Sequence, residues 1–329
     1  MVDPFTAMVI RDVDGKPRAG FEQLTLADLP DNDVLVEISH SSLNYKDGLA
    51  ITGKGRIARR LPMVAGIDLA GVVIESRDAG WRAGDRVIVN GWGLSETEWG
   101  AYARYQRIKP AHMTRLPDGF GPAEAMAIGT AGYTAALCVL ALQDFGALEN
   151  AGEVLVTGAA GGVGSVAVAL LARLGHQVIA STGRPQEHDF LTGLGASGFI
   201  DRAELSAAGK PLQAERWEAG VDVVGSHTLA NALAQTRYGG AVAACGLAGG
   251  IDLPGTVMPH ILRAVALLGV DSVMVPQEKR ARAWDMLDNY LDRAKLASLT
   301  VTAPMADLPE LAAKIVAGQL RGRTVIEIS

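Results

Sequence analysis

The sequence predicts an α/β protein of two domains: a mostly β N-terminal domain followed by a doubly wound parallel sheet. Three observations carry this. Residues 1–125 are short apolar runs cut by Gly, Pro and Asp, the pattern of strands and turns. From residue 126 onward, strand-like runs alternate with Ala/Leu-rich helical ones, which builds a parallel sheet covered on both faces. Within that second part, at 154–164, an apolar strand enters a Gly-rich turn and leaves it as a helix with Val163, Val166, Ala167, Leu170 and Leu174 on one face.

Taken in order, the first domain has candidate strands at 7–13, 33–41, 70–76, 85–89 and 100–108. Residues 122–142 are Ala-rich and predict a helix. Strands follow near 153–157, 177–181, 198–201, 221–224, 240–244 and 265–270. The segment 265–273 is expected at an exposed sheet edge. Residues 277–294 predict a charged surface helix with Trp284, Leu287 and Leu291 facing inward. The end, 323–328, alternates like a strand and is expected to return to the first domain. That makes the first domain 1–125 completed by about 298–329, and the second 126–297.

Composition bounds the function. A length of 329 residues suits two domains, and 49% hydrophobic with 20% charged residues fills substantial cores. A net charge of −6 gives no electrostatic footprint for nucleic acid or an anionic membrane. No apolar run is read as reaching the ~18 residues of a bilayer span, and the N-terminus lacks a signal-peptide pattern, so a cytoplasmic location is expected. The two cysteines, Cys138 and Cys245, read as small core side chains; their number excludes a disulfide framework or a cysteine-rich zinc site. The six histidines never occur as H-x-x-x-H or beside a cysteine, so no metal is assigned.

The Gly-rich turn carries the clearest chemistry. Ala159-x-Gly161-x-x-Gly164 is a dinucleotide fingerprint with alanine for its first glycine. Such a turn lets the backbone approach a pyrophosphate, and the helix after it offers free N–H groups and a positive dipole end. The choice of nucleotide is set about 20 residues later, at the end of the next strand. There the chain has Ser181-Thr182-Gly183-Arg184, hydroxyls and a guanidinium where an NAD enzyme presents a carboxylate. A guanidinium suits a 2′-phosphate, so the expected cofactor is NADPH. Arg202, closing the third strand of this half, is a second cation for the adenosine end. Leu247 and Ser272 follow the fifth and sixth strands, where ligands of such sheets bind. Ile261 is expected on the same nicotinamide side, and Thr130 at the domain junction, near ribose or nicotinamide.

This order of parts resembles the medium-chain dehydrogenase/reductase superfamily nearly end to end. Such a resemblance implies a GroES-like first domain and a Rossmann second domain. Gly66-Ile67-Asp68-Leu69-Ala70-Gly71 aligns with the segment where zinc alcohol dehydrogenases carry Gly-His-Glu; here Ile67 and Asp68 replace the ligands. Asn44-Tyr45-Lys46-Asp47-Gly48-Leu49, Asn90-Gly91-Trp92-Gly93-Leu94-Ser95-Glu96-Thr97 and Ser181-Thr182-Gly183-Arg184 narrow the match. Together they resemble the NADPH-dependent acrylyl-CoA reductases, once grouped as quinone oxidoreductases. Two departures stand out: Glu98 before Trp99-Gly100 where a histidine is expected, and Ser226-His227 where glycine plus a polar residue is expected.

The resemblance implies hydride transfer to the β-carbon of acrylyl-CoA, with charge developing on the thioester oxygen and a proton reaching the α-carbon. Donors for that oxygen are sought in Asn44 and Tyr45, with Tyr45 also placed against the cofactor. Asp47 and Asp68 are candidates to orient those donors, Asp68 also to supply the proton, and Arg323 to steady the enolate or to pair at the surface. Gly161, Gly162, Val163 and Gly164 are carried over for the pyrophosphate, and Ser181, Thr182, Gly183 and Arg184 for the 2′-phosphate. The basic loop with Lys54, Arg56, Arg59 and Arg60 is a candidate for the phosphates of coenzyme A, or a solvated face. A homodimer is the expected assembly. Two other readings stay open: an NADPH:quinone oxidoreductase of the same fold, and a non-catalytic NADPH-binding protein.

Overall fold

The computed structural model describes residues 4–150 and 152–328. They divide into two compact units. The first comprises 1–130, 273–277 and 300–329, and the second 131–272 and 278–299. The unit boundary falls at Thr130, a few residues past the position expected from composition.

The first unit is β-rich. β1 (Phe5–Val13) and β2 (Lys16–Leu24) form an antiparallel hairpin whose turn residues Asp14 and Gly15 both have positive φ, as a tight two-residue connection requires. β2 was missed by the sequence reading because it is polar, contains Pro17 and Gly20, and lies mostly exposed. β3 (Val34–Leu43) leads into α1 (Tyr45–Thr52), and β4 (Met63–Val64) pairs with β1. β5 (Asp68–Ser76), β6 (Arg86–Asn90), β7 (Tyr105–Ile108) and β8 (Thr114–Arg115) complete the N-terminal stretch. β5 and β7 both pair antiparallel with β3, and β6 with β5. The alternating apolar residues of these strands, including Met8, Ile10, Val36, Ile38, Leu69 and Val89, bury a shared core with Tyr102.

α2 (Pro122–Phe145) is broken by Gly129, whose φ of 51° and ψ of −163° are not helical. An 18-residue window of it has a mean hydropathy of 1.8 and would suffice, by length and composition alone, to cross a membrane, which corrects the expectation that no apolar run reaches that length. That window is 83% buried within the protein, as in a core helix.

The second unit is a six-stranded, wholly parallel sheet. It contains β9 (Glu153–Val156), β10 (Gln177–Thr182), β11 (Ala196–Asp201), β12 (Trp217–Asp222), β13 (Thr236–Ala244) and β14 (Ala266–Gly269). Their order is β11-β10-β9-β12-β13-β14, so the winding reverses beside β9. Crevices at such a reversal bind nucleotides. The intervening helices are α3 (Gly162–Arg173), α4 (His188–Leu194), α5 (Ala203–Ser206), α6 (Ser226–Ala234) and α7 (Met258–Arg263). The 277–294 helix is two: α8 (Gln277–Tyr290) and α9 (Arg293–Ser298), restarted by Asp292 capping the amides of Ala294 and Lys295. Trp284, Leu287 and Leu291 are buried as expected.

The chain ends in the first unit with β15 (Thr300–Pro304), α10 (Leu308–Val316) and β16 (Arg323–Glu327). β16 inserts between β15 and β3, pairing antiparallel with Ser41, Ser42 and Leu43. That register delivers Arg323 beside the start of α1.

Candidate active site and cofactor cradle

In the first unit, the strand-to-helix step at Leu43–Tyr45 sets the site. Asn44 is the N-cap of α1, and the Asp47 carboxylate accepts its backbone N–H at 2.9 Å. Asp47 also accepts the Ile67 amide at 3.1 Å and the Asn44 side-chain amide at 3.1 Å. Neither Asp47 nor Asp68 has exposed surface.

Asp68 is the hub. Its Oδ1 accepts Asn90 Nδ2 at 2.7 Å and the Thr130 hydroxyl; its Oδ2 accepts Asn44 Nδ2 at 2.9 Å, the Thr130 amide at 2.8 Å and the Ser42 hydroxyl. Five donors thus occupy the acceptor directions of one carboxylate. All five contacts tie Asp68 to neighbouring protein groups, and none leaves it open to a substrate directly.

Asn44 is likewise committed inside the cluster. Its Nδ2 faces Ser42 Oγ, Asp47 and Asp68, and its Oδ1 accepts Arg323 Nη1 at 3.2 Å. Arg323, only 2% exposed, donates through Nε to the Ala127 carbonyl at 2.8 Å and through Nη1 to Leu43 O at 3.4 Å. The alternative of a surface ion pair is therefore wrong for Arg323. Its Nη2 is buried with no hydrogen-bond partner among the described residues. Gly129 makes room for this arrangement. A Cβ there would lie 2.5 Å from Arg323 Nη2, 2.7 Å from Ser42 Oγ and 2.9 Å from Asp68 Oδ2.

Burial, with the Asp68 charge adding to it, pushes Asp47 up to about 7, against the hydrogen bonds from Asn44 and Ile67. Burial pulls Arg323 below its usual range, while Asp68 and Asp47 oppose this. Tyr102 donates to Ser42 O at 2.9 Å; burial and the two carboxylates hold its hydroxyl well above the phenol range. The two groups at the margin of this cluster are Thr130, half-buried, and Tyr45, 41% exposed at the first position of α1.

The four basic residues Lys54, Arg56, Arg59 and Arg60 are exposed on the loop after α1. Glu96 fixes one end of it, accepting the Arg59 amide on its carbonyl at 2.8 Å and lying 3.8 Å from the Arg59 guanidinium. Glu96 also pairs with Lys46 at 2.6 Å. Glu98, the residue that departs from the expected histidine, pairs with Lys109 at 2.6 Å.

In the second unit, β9 runs into a turn where Gly158 takes a φ of 56° and Gly161 caps α3. A Cβ on Gly164 would meet Gly158 O at 2.4 Å, so only glycine lets the helix start this close to the strand end. Gly161, Gly162 and Val163 stay partly exposed, and the first-turn amides of a helix have no intrahelical acceptor. At the end of β10, Ser181 and Thr182 are buried, and Thr182 Oγ1 accepts the Arg184 amide at 3.1 Å. The Arg184 side chain reaches Ala160 O of the Gly-rich turn at 3.5 Å and Glu187 at 3.8 Å. Arg202 lies over Gly183, where a Cβ would be 3.0 Å from its Nε. Two guanidinium groups thus bracket residues 182–184, a fit for a phosphate beside the adenosine ribose. Leu247 and Ile261 are 61% and 72% exposed, and Ser272 is half-buried. Ser226, the other departure, begins α6 with a positive φ of 48°.

Ser42, Asn90, Tyr102 and Gly129 were not singled out from sequence. Asn90 opens one signature segment, Ser42 lies two residues before another, and Gly129 precedes Thr130, but only β-pairing and the helix break bring them onto Asp68. Among the described residues, no three His, Cys, Asp or Glu side chains group as metal ligands.

Two family models match the chain: the alcohol dehydrogenase GroES-like domain over 30–118 and the zinc-binding dehydrogenase over 162–289. The chain is 48% identical over 323 residues to the probable acrylyl-CoA reductase AcuI of Escherichia coli, covering 98% of this chain and 99% of that one. It is 47% identical over 328 residues to acrylyl-CoA reductase AcuI of Ruegeria pomeroyi, covering 99% of each. The chain belongs to the acrylyl-CoA reductase family. This family lies in the medium-chain dehydrogenase/reductase superfamily. The crystal structure of Escherichia coli YHDH with bound NADPH matches with a TM-score of 0.96 at 47% identity, over 98% of this chain and all of that one. The fold is accordingly a GroES-like domain joined to a Rossmann domain.

Proposed function

We propose that this protein uses NADPH to reduce the C=C bond of acrylyl-CoA, giving propionyl-CoA. The full-length identity to acrylyl-CoA reductases carries the substrate, and the paired guanidinium groups of Arg184 and Arg202 at the end of β10 support the phosphorylated cofactor. NADPH supplies the hydride when bound. The chain's own task is then to hold the thioester oxygen as negative charge gathers there.

Burial divides the roles. Tyr45 is the accessible donor, and we assign it to the thioester oxygen; Thr130, whose hydroxyl and amide both donate to Asp68, is assigned to the ribose or nicotinamide side of the cofactor. Asn44, Asp47, Asp68 and Arg323 act beneath as positioning residues that fix α1 and the Gly129 break. Gly161 to Gly164 hold the pyrophosphate, while Ser181 to Arg184 with Arg202 hold the 2′-phosphate. Leu247, Ile261 and Ser272 lie at or beyond the carboxyl ends of the later strands, toward the nicotinamide. Lys54, Arg56, Arg59 and Arg60 attract the phosphates of coenzyme A, a task that a quinone substrate would not give them. A cytoplasmic homodimer completes the reading, with β14 at the free edge of its sheet and nearby Ile261 and Leu262 exposed.

Label transfer tests the reaction. With NADPH deuterated at the transferable C4 position, the propionyl-CoA formed is expected to carry one deuterium on its β-carbon. Propionyl-CoA without deuterium would overturn hydride delivery from the cofactor.

A further inference from the structure

The segment Asn90–Thr97 stands out in the sequence, yet the proposed reaction leaves it without a task. It lies in the first unit, where the chain leaves β6 and folds into a tight turn. The Gly93 carbonyl accepts the amides of Glu96, Thr97 and Glu98 at 3.0, 2.9 and 2.9 Å, and the Ser95 amide donates to Glu98 O at 2.8 Å. Trp92 and Ser95 hold positive φ of 51° and 66°, although neither is glycine. Leu94 and Ser95 are buried, so packing and hydrogen bonds together hold a backbone conformation that side chains resist. The turn is a rigid mount for Glu96.

Glu96 makes three contacts of unequal strength. Its backbone carbonyl accepts the Arg59 amide at 2.8 Å. Its Oε1 accepts Lys46 Nζ at 2.6 Å, which ties it to the first turn of α1, beside Tyr45. Its Oε2 lies 3.8 Å from Arg59 Nη2. The first two contacts are tight and the third is loose. The Glu96 side chain is 17% exposed and that of Arg59 71%, so this last pair is screened by solvent and open to exchange. A phosphate takes two guanidinium N–H groups at once and can displace a single long contact. Glu96 therefore fixes Arg59 through its backbone while leaving its guanidinium free to change partner.

We propose that Glu96 is a positioning residue for substrate choice: it holds Arg59 where a phosphate of an acyl-CoA thioester is taken up, and gives the guanidinium over to that phosphate on binding. This rests on the acyl-CoA reading above. Lys46 stays on the carboxylate, so the exchange does not leave Glu96 without a cation. The same carboxylate ties the basic loop to the start of α1, where Tyr45 is assigned to the thioester oxygen. The phosphate end and the reacting end of the substrate are then set on one frame, which a substrate without phosphates uses only in part.

The test follows NADPH oxidation by wild type, Glu96→Gln, Arg59→Ser and the double variant. Two substrates are compared: acrylyl-CoA, and acrylyl-N-acetylcysteamine, which carries the same thioester and no phosphate. Glu96→Gln keeps the shape of the side chain and an acceptor for Lys46 but removes the charge. Its KM for acrylyl-CoA is expected to rise about three- to five-fold, the scale of one partly exposed ion pair, with kcat little changed. The kcat/KM ratio of acrylyl-CoA to acrylyl-N-acetylcysteamine is expected to fall by the same factor. With Arg59→Ser already present, Glu96→Gln is expected to lower that ratio no further. Removing a carboxylate makes the loop more positive, so a field effect alone would lower KM for acrylyl-CoA, the opposite sign. A lower or unchanged KM, an equal loss on both thioesters, or additive losses in the double variant would overturn the positioning role. Should Glu96→Gln fail to fold, Arg59→Ser on its exposed loop still decides: an unchanged ratio would overturn the proposal. Equal kcat/KM of the wild type on both thioesters would overturn the coenzyme A reading of the loop and this proposal with it, whereas turnover of neither would count against the proposed reaction itself.

Discussion

In the polar cluster around Asp68, Arg323 is a buried cation set against two buried carboxylates. Arg323→Ala removes it and leaves Asp47 and Asp68 uncompensated, together with the Ala127 and Leu43 carbonyls. An unpaired buried charge costs about 3–5 kcal/mol, and chemical denaturation of the variant is expected to show a loss of that order. Asp47 makes a prediction about pH. Its folded value of about 7 lies above the unfolded one, so the neutral form is favoured by folding. The contribution is full at pH below the unfolded value and is lost as pH rises through about 7. Wild-type Tm measured against that of Asp47→Asn should therefore fall as pH rises from about 5 to about 8; a constant difference would contradict the assignment. At the exposed margin, Tyr45→Phe is expected to lower kcat about 10²-fold, the scale of losing one donor to a developing oxyanion, with NADPH Kd unchanged.

Among the elements, α2 carries the most information per residue. Gly129 holds a backbone conformation that side chains resist, at a cost of about 1–3 kcal/mol, and its missing Cβ is where the Arg323 guanidinium lies. Gly129→Ala is expected to lose at least that much stability and most activity, readable by denaturation and turnover together. The sequence shows this helix by its alanines, but not the break. Gly129 and Gly132 look alike in the string, and only the approach of Arg323 and Asp68 from other strands separates them. The β10 end was more legible: Ser181-Thr182-Gly183-Arg184 reads as a 2′-phosphate site because strand, turn and charge are contiguous. Arg184→Ala is expected to raise KM for NADPH about ten-fold or more, with little change in kcat. Equal use of NADH and NADPH by the unmutated protein would contradict the assignment. β2 escaped notice because hairpin pairing, not an apolar face, holds it.

Across the whole molecule, order of parts was readable because each domain has its own periodicity, and the six-stranded order follows from right-handed strand–helix alternation. The Asp68 site was only half readable. Asn44, Asp47, Asp68 and Arg323 stand out as polar residues in apolar surroundings, yet that all four are buried while Tyr45 stays exposed depends on long-range packing. The charge distribution is also a property of the whole: a chain of net charge −6 displays four exposed cations on one loop. Joint replacement of Lys54, Arg56, Arg59 and Arg60 by Ser is expected to raise KM for acyl-CoA and spare a small acrylate ester. The measurement that tests the central claim most directly is NADPH oxidation with acrylyl-CoA, crotonyl-CoA and a simple benzoquinone in parallel. A large kcat/KM preference for acrylyl-CoA is the predicted result; preference for the quinone with little acyl-CoA turnover would contradict it.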